Sequence, residues 1–247
     1  MKPTGIWPVQ SVKRLLIDPL IDFIYAPVCF HCNDALPAGE YWCTRCDTSL
    51  ERIQTGSDSH KYLREEILAQ SANLRDVYAL YEFEPGGVLQ TLIHELKYRQ
   101  KTDIGVKLGK RLGTAVKNIF GVDESWILIP IPLHHAKERE RGYNQSYYIA
   151  RGLHEATGAR IATNIIERNR NTRTQTKLSM SERMENVSGA FVRHDSTVLP
   201  DEQPVALIDD VITTGSTMVS IAHLLPENTP VYAFSAGNAP LHVQSLI

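Results

Sequence analysis

The sequence has no long apolar stretch and no basic residue in its C-terminal part. No run of 18 or more apolar residues occurs among its 247 positions, so no membrane span is expected. No Lys or Arg follows Arg193, whereas both types are dense between Lys137 and Arg183. The N-terminus lacks the arrangement of a signal peptide, which makes the cytoplasm the expected compartment.

The triphosphate-binding pattern GxxxxGK[ST] is also absent, which argues against an ATPase of that class. The composition is otherwise that of an ordinary folded protein, with 43% hydrophobic residues and a formal net charge of −2. That hydrophobic fraction is enough for a normal core, and that charge provides no overall attraction to nucleic acid. Local patterns, and not composition, must therefore indicate what the chain does.

Cysteine is confined to four positions, which form two matched pairs. Cys29 and Cys32 make one Cys-x-x-Cys pair, and Cys43 and Cys46 make the second after ten intervening residues. Four thiolates at this spacing are typical of a tetrahedral structural Zn²⁺ site, which has no open position for catalysis. A redox motif is the alternative, but it needs one pair and not two, and a reducing cytoplasm disfavours disulfides. The sequence therefore predicts a small zinc module, with His31 as a bystander.

The most informative stretch is residues 204–220, where an apolar run ends in two acids. Val205–Ile208 is typical of a buried parallel strand, and Asp209 and Asp210 follow it directly. A loop of hydroxyl residues and one glycine comes next, and its backbone N–H groups and hydroxyls can surround a phosphate. The predicted phosphate-binding residues are Thr213, Thr214, Gly215, Ser216 and Thr217.

The two acids indicate what the phosphate is attached to. Carboxylates repel phosphate, but they accept hydrogen bonds from ribose hydroxyls and suit a nearby Mg²⁺. Asp209 and Asp210 are therefore predicted to bind the ribose of a ribose 5-phosphate. The plainer alternative is an acid pair at a strand end followed by ordinary helix N-cap residues.

A second strand and a basic segment supply the cations that the C-terminal part lacks. Trp126–Pro132 is predicted to be a strand that stops at its prolines, so its end should face the same ligand. The loop after it is assigned to a diphosphate, through Leu133, His134, Arg139 and Arg141. The polar segment 168–178 is either a solvated surface loop or a lid over the diphosphate. The lid residues would be Arg170, Arg173 and Lys177.

These segments predict an α/β protein with a parallel sheet and a small N-terminal module. The expected divisions are an N-terminal helix in 1–25, a four-cysteine module in 26–50, a linker and short helix in 51–74, and a main domain in 75–247. Lys97, at the end of a predicted helix that starts at Val88, is a further candidate for the diphosphate side. A solvated cation at the helix end is the alternative for Lys97.

Several motifs occur in a fixed order along the chain, and together they carry a resemblance. They are the two Cys-x-x-Cys pairs, His94-Glu95-Leu96-Lys97-Tyr98, Pro130-Ile131-Pro132-Leu133, Arg139 to Ser146, Arg168 to Leu178, Arg183-x-x-Asn186-Val187 and Asp209 to Thr217. Over about residues 26–235 the chain resembles the ComF family of competence-associated proteins, which are similar to type I phosphoribosyltransferases. Tyr143 stands where Phe is common in that family.

The resemblance implies a type I phosphoribosyltransferase-like domain with an N-terminal zinc ribbon. It also implies phosphoribosyl pyrophosphate and Mg²⁺ as ligands, and a role in DNA uptake or in the use of external DNA. One hypothesis is an enzyme that transfers a phosphoribosyl group to an amine or base and releases pyrophosphate. The other is a non-catalytic module that senses phosphoribosyl pyrophosphate, or that binds single-stranded DNA beside a helicase-type competence partner. The sequence identifies neither the acceptor nor a catalytic base.

Overall fold

The structure is a computed structural model that describes residues 27–71, 73–169, 189–194, 199 and 202–239. The helix predicted within residues 1–25 lies outside the described residues. The predicted lid residues Arg170, Arg173 and Lys177 lie outside them as well.

The chain divides into two compact units between Ser49 and Leu50. The described part of the first unit contains one short helix, α1 (Thr44–Thr48), and an antiparallel bridge between Val28 and Ala35. The described residues of this unit thus contain little regular structure, and the four cysteines lie among them.

Helices and strands alternate through the second unit. Its described helices are α2 (Asp58–Leu68), α3 (Val88–Tyr98), α4 (Thr102–Phe120), α5 (His135–Arg141), α6 (Gln145–Thr157) and α7 (Ser216–Ala222). Its described strands are β1 (Leu74–Glu82), β2 (Ile127–Pro130), β3 (Arg160–Ile161), β4 (Ile166–Arg168), β5 (Phe191–Arg193), β6 (Val205–Ile212) and β7 (Val231–Asn238). In the part of the chain that the structure describes, no helix combines the length and the apolar character that a membrane crossing requires.

Five of the strands form one sheet in the order β1–β7–β6–β2–β3, and every neighbouring pair is parallel. β4 and β5 form a separate antiparallel pair. β6 begins with four buried apolar residues, which is the pattern of a strand covered on both faces of a parallel sheet. The sheet confirms the predicted α/β class.

The two acids lie inside β6 and not after it, so the predicted strand end at Ile208 is wrong. The ladder between β6 and β7 continues to Ile212. On the other side, the ladder with β2 stops with Pro130 opposite Ile208. Asp209 and Asp210 therefore belong to a strand that still pairs with β7 but has passed the end of β2.

Helices α4 and α6 cross at a contact that only glycine permits. A Cβ atom on Gly109 would lie 2.0 Å from the backbone oxygen of Ile149, and one on Gly152 would lie 2.1 Å from the oxygen of Val106. Both distances are far shorter than van der Waals contact, so the two helix backbones touch each other. This contact holds α6, whose first turn reaches the end of β6.

Candidate functional site

The candidate site is the crevice at the C-terminal ends of β2 and β6, which are neighbours in the sheet. After β2 the chain passes through α6 to β3, and after β6 it passes through α7 to β7 in the opposite direction across the sheet. Where the connections of adjacent strands leave in opposite directions, they open a crevice in which α/β sheets bind ligands. The strand order thus brings together the two strand ends that the sequence assigned to one ligand.

Asp209 is held by two hydrogen bonds to one carboxylate oxygen. Ser146 Oγ donates to Asp209 Oδ1 over 2.9 Å, and the N–H of Asp210 donates to the same atom over 2.8 Å. Burial and the neighbouring Asp210 carboxylate raise the pKa of Asp209 to about 7, although the two hydrogen bonds and Lys97 oppose the rise. This carboxyl group therefore changes its charge near neutral pH.

Asp210 is nearly fully buried and forms the ion pair of the site. Its Oδ1 accepts from the N–H of Val211 over 2.8 Å, and its Oδ2 lies 3.0 Å from Lys97 Nζ. The side chains of Asp210 and Lys97 keep only 6% and 13% of their surface exposed. The ammonium group approaches Oδ2 outside hydrogen-bonding geometry, so this oxygen accepts no hydrogen bond from the residues that the structure describes. It can still accept a donor or bind a cation.

The structure places Lys97 beside the acid pair, and its role on the diphosphate side stays a prediction. Its ammonium group lies at Asp210, which is the predicted ribose end. The C-terminal turn of α3 is tied to the crevice by a second contact, because the Tyr143 hydroxyl donates to the backbone oxygen of Leu96.

The hydroxyl loop and Asp209 line one small pocket, and all five predicted phosphate-binding residues take part in it. Thr214 Oγ1 donates to Ser216 Oγ over 3.0 Å and accepts from the N–H of Ser216 over 3.4 Å. Gly215 has a φ of +70°, and a Cβ atom there would lie 2.5 Å from Cδ1 of Ile67 on α2. Glycine is therefore required both by the left-handed backbone and by the helix packed on the loop.

Four basic side chains are linked to the acid pair or to one another through their charges, and together they are called the basic cluster: Lys97, Lys137, Arg141 and Arg168. Burial lowers the pKa of Lys137, and the charges of Arg168, Arg141 and Lys97 lower it further. Burial also lowers the pKa of Arg168, an effect that the Asp209 carboxylate opposes. Lys97 contacts the acid pair directly, and the charges of the other three side chains interact with Lys97, with one another or, for Arg168, with Asp209. This excess of positive charge suits a polyanionic ligand.

The segment predicted as a diphosphate loop is partly helical. α5 begins after His134, whose Nδ1 accepts from the N–H of Ala136 over 3.1 Å, and it ends at Gly142, whose φ is +80°. Its Ala, Lys, Glu and Arg residues are good helix formers. The sequence did not reveal the helix because α5 has no apolar period by which to recognise it.

The predicted diphosphate residues on this segment lie in different environments. Arg141 Nη1 donates to Gln145 Oε1 over 2.9 Å, and its guanidinium lies 5.2 Å from the centre of the Tyr98 ring. Arg139 is exposed, and Leu133 lines a second, larger pocket. Arg141 is therefore the member of this set that the structure places in the basic cluster.

Three residues join the site although the sequence did not predict them. Ser146 lies in the first turn of α6, where Asn144 Oδ1 accepts from its N–H over 3.0 Å, and it reaches Asp209. Lys137 and Arg168 both lie in segments recognised as basic. Only the folded chain shows that the charges of these two side chains interact, and that the charge of Asp209 acts on Arg168.

The four cysteines form one cluster in the first unit, and their sulfur atoms all lie within 4.8 Å of one another. The sulfur atoms of Cys29 and Cys46 are 3.6 Å apart, and those of Cys32 and Cys43 are 3.5 Å apart. Four sulfurs bound to zinc at about 2.3 Å would be about 3.8 Å apart in a tetrahedron. The cluster therefore fits a Zn²⁺ ion and could hold one, as the sequence predicts.

Backbone N–H groups favour a thiolate at Cys29, whereas burial and the neighbouring sulfurs raise the pKa of Cys46. The N–H of Cys43 donates to Cys29 Sγ over 3.4 Å, and the N–H of Cys46 donates to Cys43 Sγ over 3.5 Å. Burial raises the pKa of Cys29, but the backbone N–H groups outweigh it and lower the pKa to about 6. Nearby, Trp42 is buried with its indole N–H satisfied by Asp47 Oδ1 at 2.7 Å.

The parallel sheet, its crevice and the acid pair with its hydroxyl loop define the class of the second unit as type I phosphoribosyltransferase-like. Sequence comparison then identifies the family. The chain is 30% identical over 211 residues to competence protein F of Haemophilus influenzae, which covers 80% of this chain and 90% of that protein. The chain therefore belongs to the ComF family of competence proteins, which confirms the resemblance drawn from its motifs.

Two further relatives match over shorter stretches. DNA utilization protein YhgH of Escherichia coli is 33% identical over 144 residues, or 57% of this chain and 62% of that protein. Competence protein ComFC of Bacillus subtilis is 24% identical over 160 residues, or 65% of this chain and 62% of that protein. The chain thus spans just under two thirds of the length of these two relatives.

Comparison with family models gives no match. Among solved structures, one described as "Structure of the allosteric regulatory enzyme of purine biosynthesis" is similar with a TM-score of 0.35 and 22% identity. The similarity covers 57% of this chain and 29% of that chain. A TM-score this low supports no inference about fold or function, so the class assigned above depends on the strand order and the site of this chain.

Proposed function

We propose that this protein binds phosphoribosyl pyrophosphate together with Mg²⁺, and that it serves DNA uptake or the use of external DNA, as the names of its relatives indicate. The observation that supports the ligand best is the pocket that Asp209 shares with the loop from Thr213 to Thr217. In this pocket a carboxylate that can accept hydrogen bonds from ribose hydroxyls lies beside a loop that can surround a phosphate. The positive charges of the basic cluster would bind the diphosphate.

The ribose end of the site would be formed by Asp209 and Asp210. Ribose hydroxyls donate hydrogen bonds, and Asp210 Oδ2 is a buried oxygen that accepts none from the described residues. Carboxylate oxygens are also the ligands that Mg²⁺ prefers, and a bound ion would neutralise charge on the diphosphate. Lys97 already balances the charge of Asp210, so it would compete with an ion at that oxygen.

The 5-phosphate and the diphosphate of the ligand would be bound by different groups of the protein. The 5-phosphate would lie in the hydroxyl loop, where Gly215 has no side chain to obstruct the backbone N–H groups. The diphosphate would lie against Lys137, Arg141 and Arg168, whose charges stabilise an anion in a partly buried site. Arg170, Arg173 and Lys177 remain the proposed lid.

If the protein is an enzyme, the reaction is a displacement at ribose C1. A nitrogen of the acceptor forms a bond to C1 while the bond from C1 to the diphosphate oxygen breaks. The diphosphate leaves with the electron pair, and the acceptor nitrogen loses its proton to water. The basic cluster would stabilise the charge that accumulates on the leaving diphosphate.

Calorimetric titration with phosphoribosyl pyrophosphate and Mg²⁺ tests the proposal. The wild-type protein should bind, and the variant Asp209→Asn/Asp210→Asn should bind at least about tenfold more weakly, because hydrogen bonds to charged groups contribute about 1.5–3 kcal/mol each. Glu124→Gln is the matched control, since Glu124 is an exposed acid before the opposite end of β2. No binding by the wild type, or equal binding by the double variant, would contradict the proposal.

The pH dependence of binding gives a second readout at Asp209. Because its pKa is raised to about 7, its ionised fraction increases between about pH 6 and about pH 8. Affinity should therefore rise with pH over that interval. In Asp209→Asn the rise should shrink to the part caused by the phosphates of the ligand. Identical pH profiles for wild type and variant would show that Asp209 does not bind the sugar.

A second candidate, single-stranded DNA binding beside a helicase-type competence partner, has one observation in its favour. Tyr98 keeps 53% of its surface exposed, carries the Arg141 guanidinium over its ring, and is followed by exposed Arg99 and Lys101. An exposed ring among cations suits a stacked base and its phosphates. Binding of a labelled oligothymidine that weakens steeply with salt and with Tyr98→Ala would support this candidate. Absence of binding at low salt would remove it.

A further inference from the structure

We propose that the larger pocket beside the crevice is the acceptor subsite, and that it takes a planar nitrogen heterocycle with two adjacent N–H donors, the edge that guanine presents. This inference rests on the proposed function. The pocket has a volume of about 440 Å³ and lies among the end of β2, α5, the start of α6 and the β4–β5 pair. That volume is in the range of small-molecule sites.

The walls of the pocket suit a flat ring. The lining includes the apolar residues Pro130 and Ile166 and three tyrosines: Tyr143, Tyr147 and Tyr148. Tyr148 packs edge-on against Tyr143 at 84° and against Tyr147 at 86°, which fixes the orientation of both rings. Fixed aromatic faces bind planar ligands by stacking, with little loss of conformational entropy.

Glu167 lines the pocket, and each of its two carboxylate oxygens is held by a histidine. His135 Nε2 lies 3.1 Å from Glu167 Oε1, and His194 Nε2 lies 3.0 Å from Oε2. An ionised carboxylate only accepts hydrogen bonds, so both imidazoles donate from Nε2. The two histidines come from different elements, α5 and the end of β5, and together they fix the plane of the carboxylate.

Each Glu167 oxygen keeps a further lone pair for a ligand. The Glu167 side chain is 37% exposed, so those lone pairs are accessible from the pocket. Two oxygens that each accept one more hydrogen bond match two parallel N–H donors, as in the pairing of a carboxylate with a guanidinium. Guanine presents such an edge with its ring N1–H and its 2-amino group.

Other bases match Glu167 less well. Hypoxanthine lacks the 2-amino group and offers one donor. Adenine and cytosine present a ring nitrogen acceptor beside their amino group, and an acceptor facing a carboxylate oxygen is repelled. The arrangement of Glu167 therefore predicts a preference for guanine over each of these.

The pocket adjoins the proposed ribose site through two residues. Arg168 lines the pocket, and the charge of Asp209 acts on it. Asn144 also lines the pocket and caps the turn of α6 from which Ser146 donates to Asp209. These two links connect the pocket to the acid pair, so a ring bound in the pocket would be positioned to present its nitrogen to the proposed ribose.

Equilibrium dialysis with radiolabelled guanine and radiolabelled hypoxanthine tests the inference. The wild-type protein should bind guanine at least about tenfold more tightly than hypoxanthine, because one charge-assisted hydrogen bond is lost with the amino group. Glu167→Gln should weaken guanine binding about tenfold or more and abolish the preference, since an amide offers one acceptor only. Glu124→Gln, the same chemical change outside the pocket, should leave both affinities unchanged.

A second variant distinguishes hydrogen bonding of the base to Glu167 from stacking of the base on the tyrosines. Tyr147→Ala removes a stacking face but leaves Glu167 in place, so it should weaken guanine and hypoxanthine by similar factors and keep their ratio. A wild-type protein that binds both bases equally, or a Glu167→Gln variant that keeps the preference, would overturn the inference.

Calorimetry with phosphoribosyl pyrophosphate on the same samples distinguishes the two proposals. Loss of guanine binding in Glu167→Gln with the sugar ligand still bound supports both. A wild-type protein that binds the sugar ligand but neither base overturns the acceptor subsite alone. Guanine binding without sugar-ligand binding contradicts the proposed function and, with it, the acceptor role of the pocket. Loss of both ligands in Glu167→Gln overturns the assignment of Glu167 to base recognition.

Discussion

The cysteine cluster and the strand-end crevice are both polar sites, but they are assembled in different ways. All four cysteines lie within residues 29–46, and short turns bring their sulfurs together. The crevice draws its side chains from α3, α5, α6, α7, β4 and β6, from positions as distant as Lys97 and Thr217. The cysteine cluster should therefore lose its structure when its metal is removed. The crevice should instead lose stability when its buried charges or the packing of its hydroxyl loop is disturbed.

Removal of zinc should have the largest effect, and only on the first unit. Metal binding provides about 10–16 kcal/mol in small four-ligand zinc peptides near neutral pH, so the metal and the fold of such a unit depend on each other. Cys46→Ser should therefore lower the zinc content from about one ion per chain to nearly none. Elemental analysis measures the content, and calorimetric unfolding should show that the transition of the second unit persists.

His31→Ala is the control for this experiment, because four sulfurs already complete the zinc site. It should keep the zinc content of the wild type. A folded wild-type protein with no zinc would mean that packing around Trp42 and the thiol contacts suffice to order the first unit.

Asp210→Ala should have the next largest effect, and it should act on the second unit. The substitution leaves the Lys97 ammonium group buried without its counter-charge, for which about 3–5 kcal/mol of lost stability is typical. Urea unfolding measures the change, and Lys97→Met/Asp210→Asn should recover part of it because no charge is then left unpaired.

The matched control is Lys110→Met, which breaks the exposed ion pair of Lys110 with Glu155. Exposed pairs contribute at most about 1 kcal/mol, so this change should be small. A similarly small change for Asp210→Ala would mean that Lys97 reaches water once its partner is gone.

Gly215→Ala should have the smallest of the three effects, and it tests how the loop is packed. Two glycines have nearly the same backbone, since φ is +70° at Gly215 and +72° at Gly86. Only Gly215 faces a neighbour, the side chain of Ile67, whereas nothing lies within 4 Å of a Cβ atom built on Gly86. Gly86→Ala should destabilise by about 1–2 kcal/mol through backbone strain. Gly215→Ala should destabilise by that amount and by about 1–3 kcal/mol more, because the new methyl group overpacks against Ile67.

Ile67→Val removes the Cδ1 atom that the new methyl group would meet, so it should relieve part of the Gly215→Ala effect. Urea unfolding of the two single glycine variants and of the combined variant measures this coupling. Equal losses for the two glycine substitutions would contradict the contact between α2 and the phosphate loop.

The comparison also shows where prediction from sequence ends. The spacing of the cysteines and the order of Asp209, Asp210 and the hydroxyl loop were sufficient to predict two candidate sites. The end of the strand at Ile208 was predicted wrongly, because the sequence does not show that β7 continues to pair with β6 after β2 has stopped. The helical turn of α5 was missed because charged residues alone give no apolar period.

For a related reason, the sequence could not show which basic side chains join the candidate site. Basic residues are frequent between Lys137 and Arg183, and their type and spacing do not show which of them turn inward. In the folded chain the charges of Arg141 and Arg168 act on Lys137, and the charge of Asp209 acts on Arg168. Glu167 and its two histidines were not singled out either, since their relation exists only between α5 and the β4–β5 pair.

The sequence by itself determined the features that depend on neighbouring residues: the four-cysteine cluster, the acid pair, the hydroxyl loop and the apolar strand that carries the acids. The tertiary structure decided the features that depend on distant residues. Among these are the pairing of Lys97 with Asp210, the hydrogen bond from Ser146 to Asp209, and the pocket at Glu167. The physical reason is that backbone spacing constrains side chains only a few positions apart, whereas contacts between distant segments follow from the order in which the strands pair.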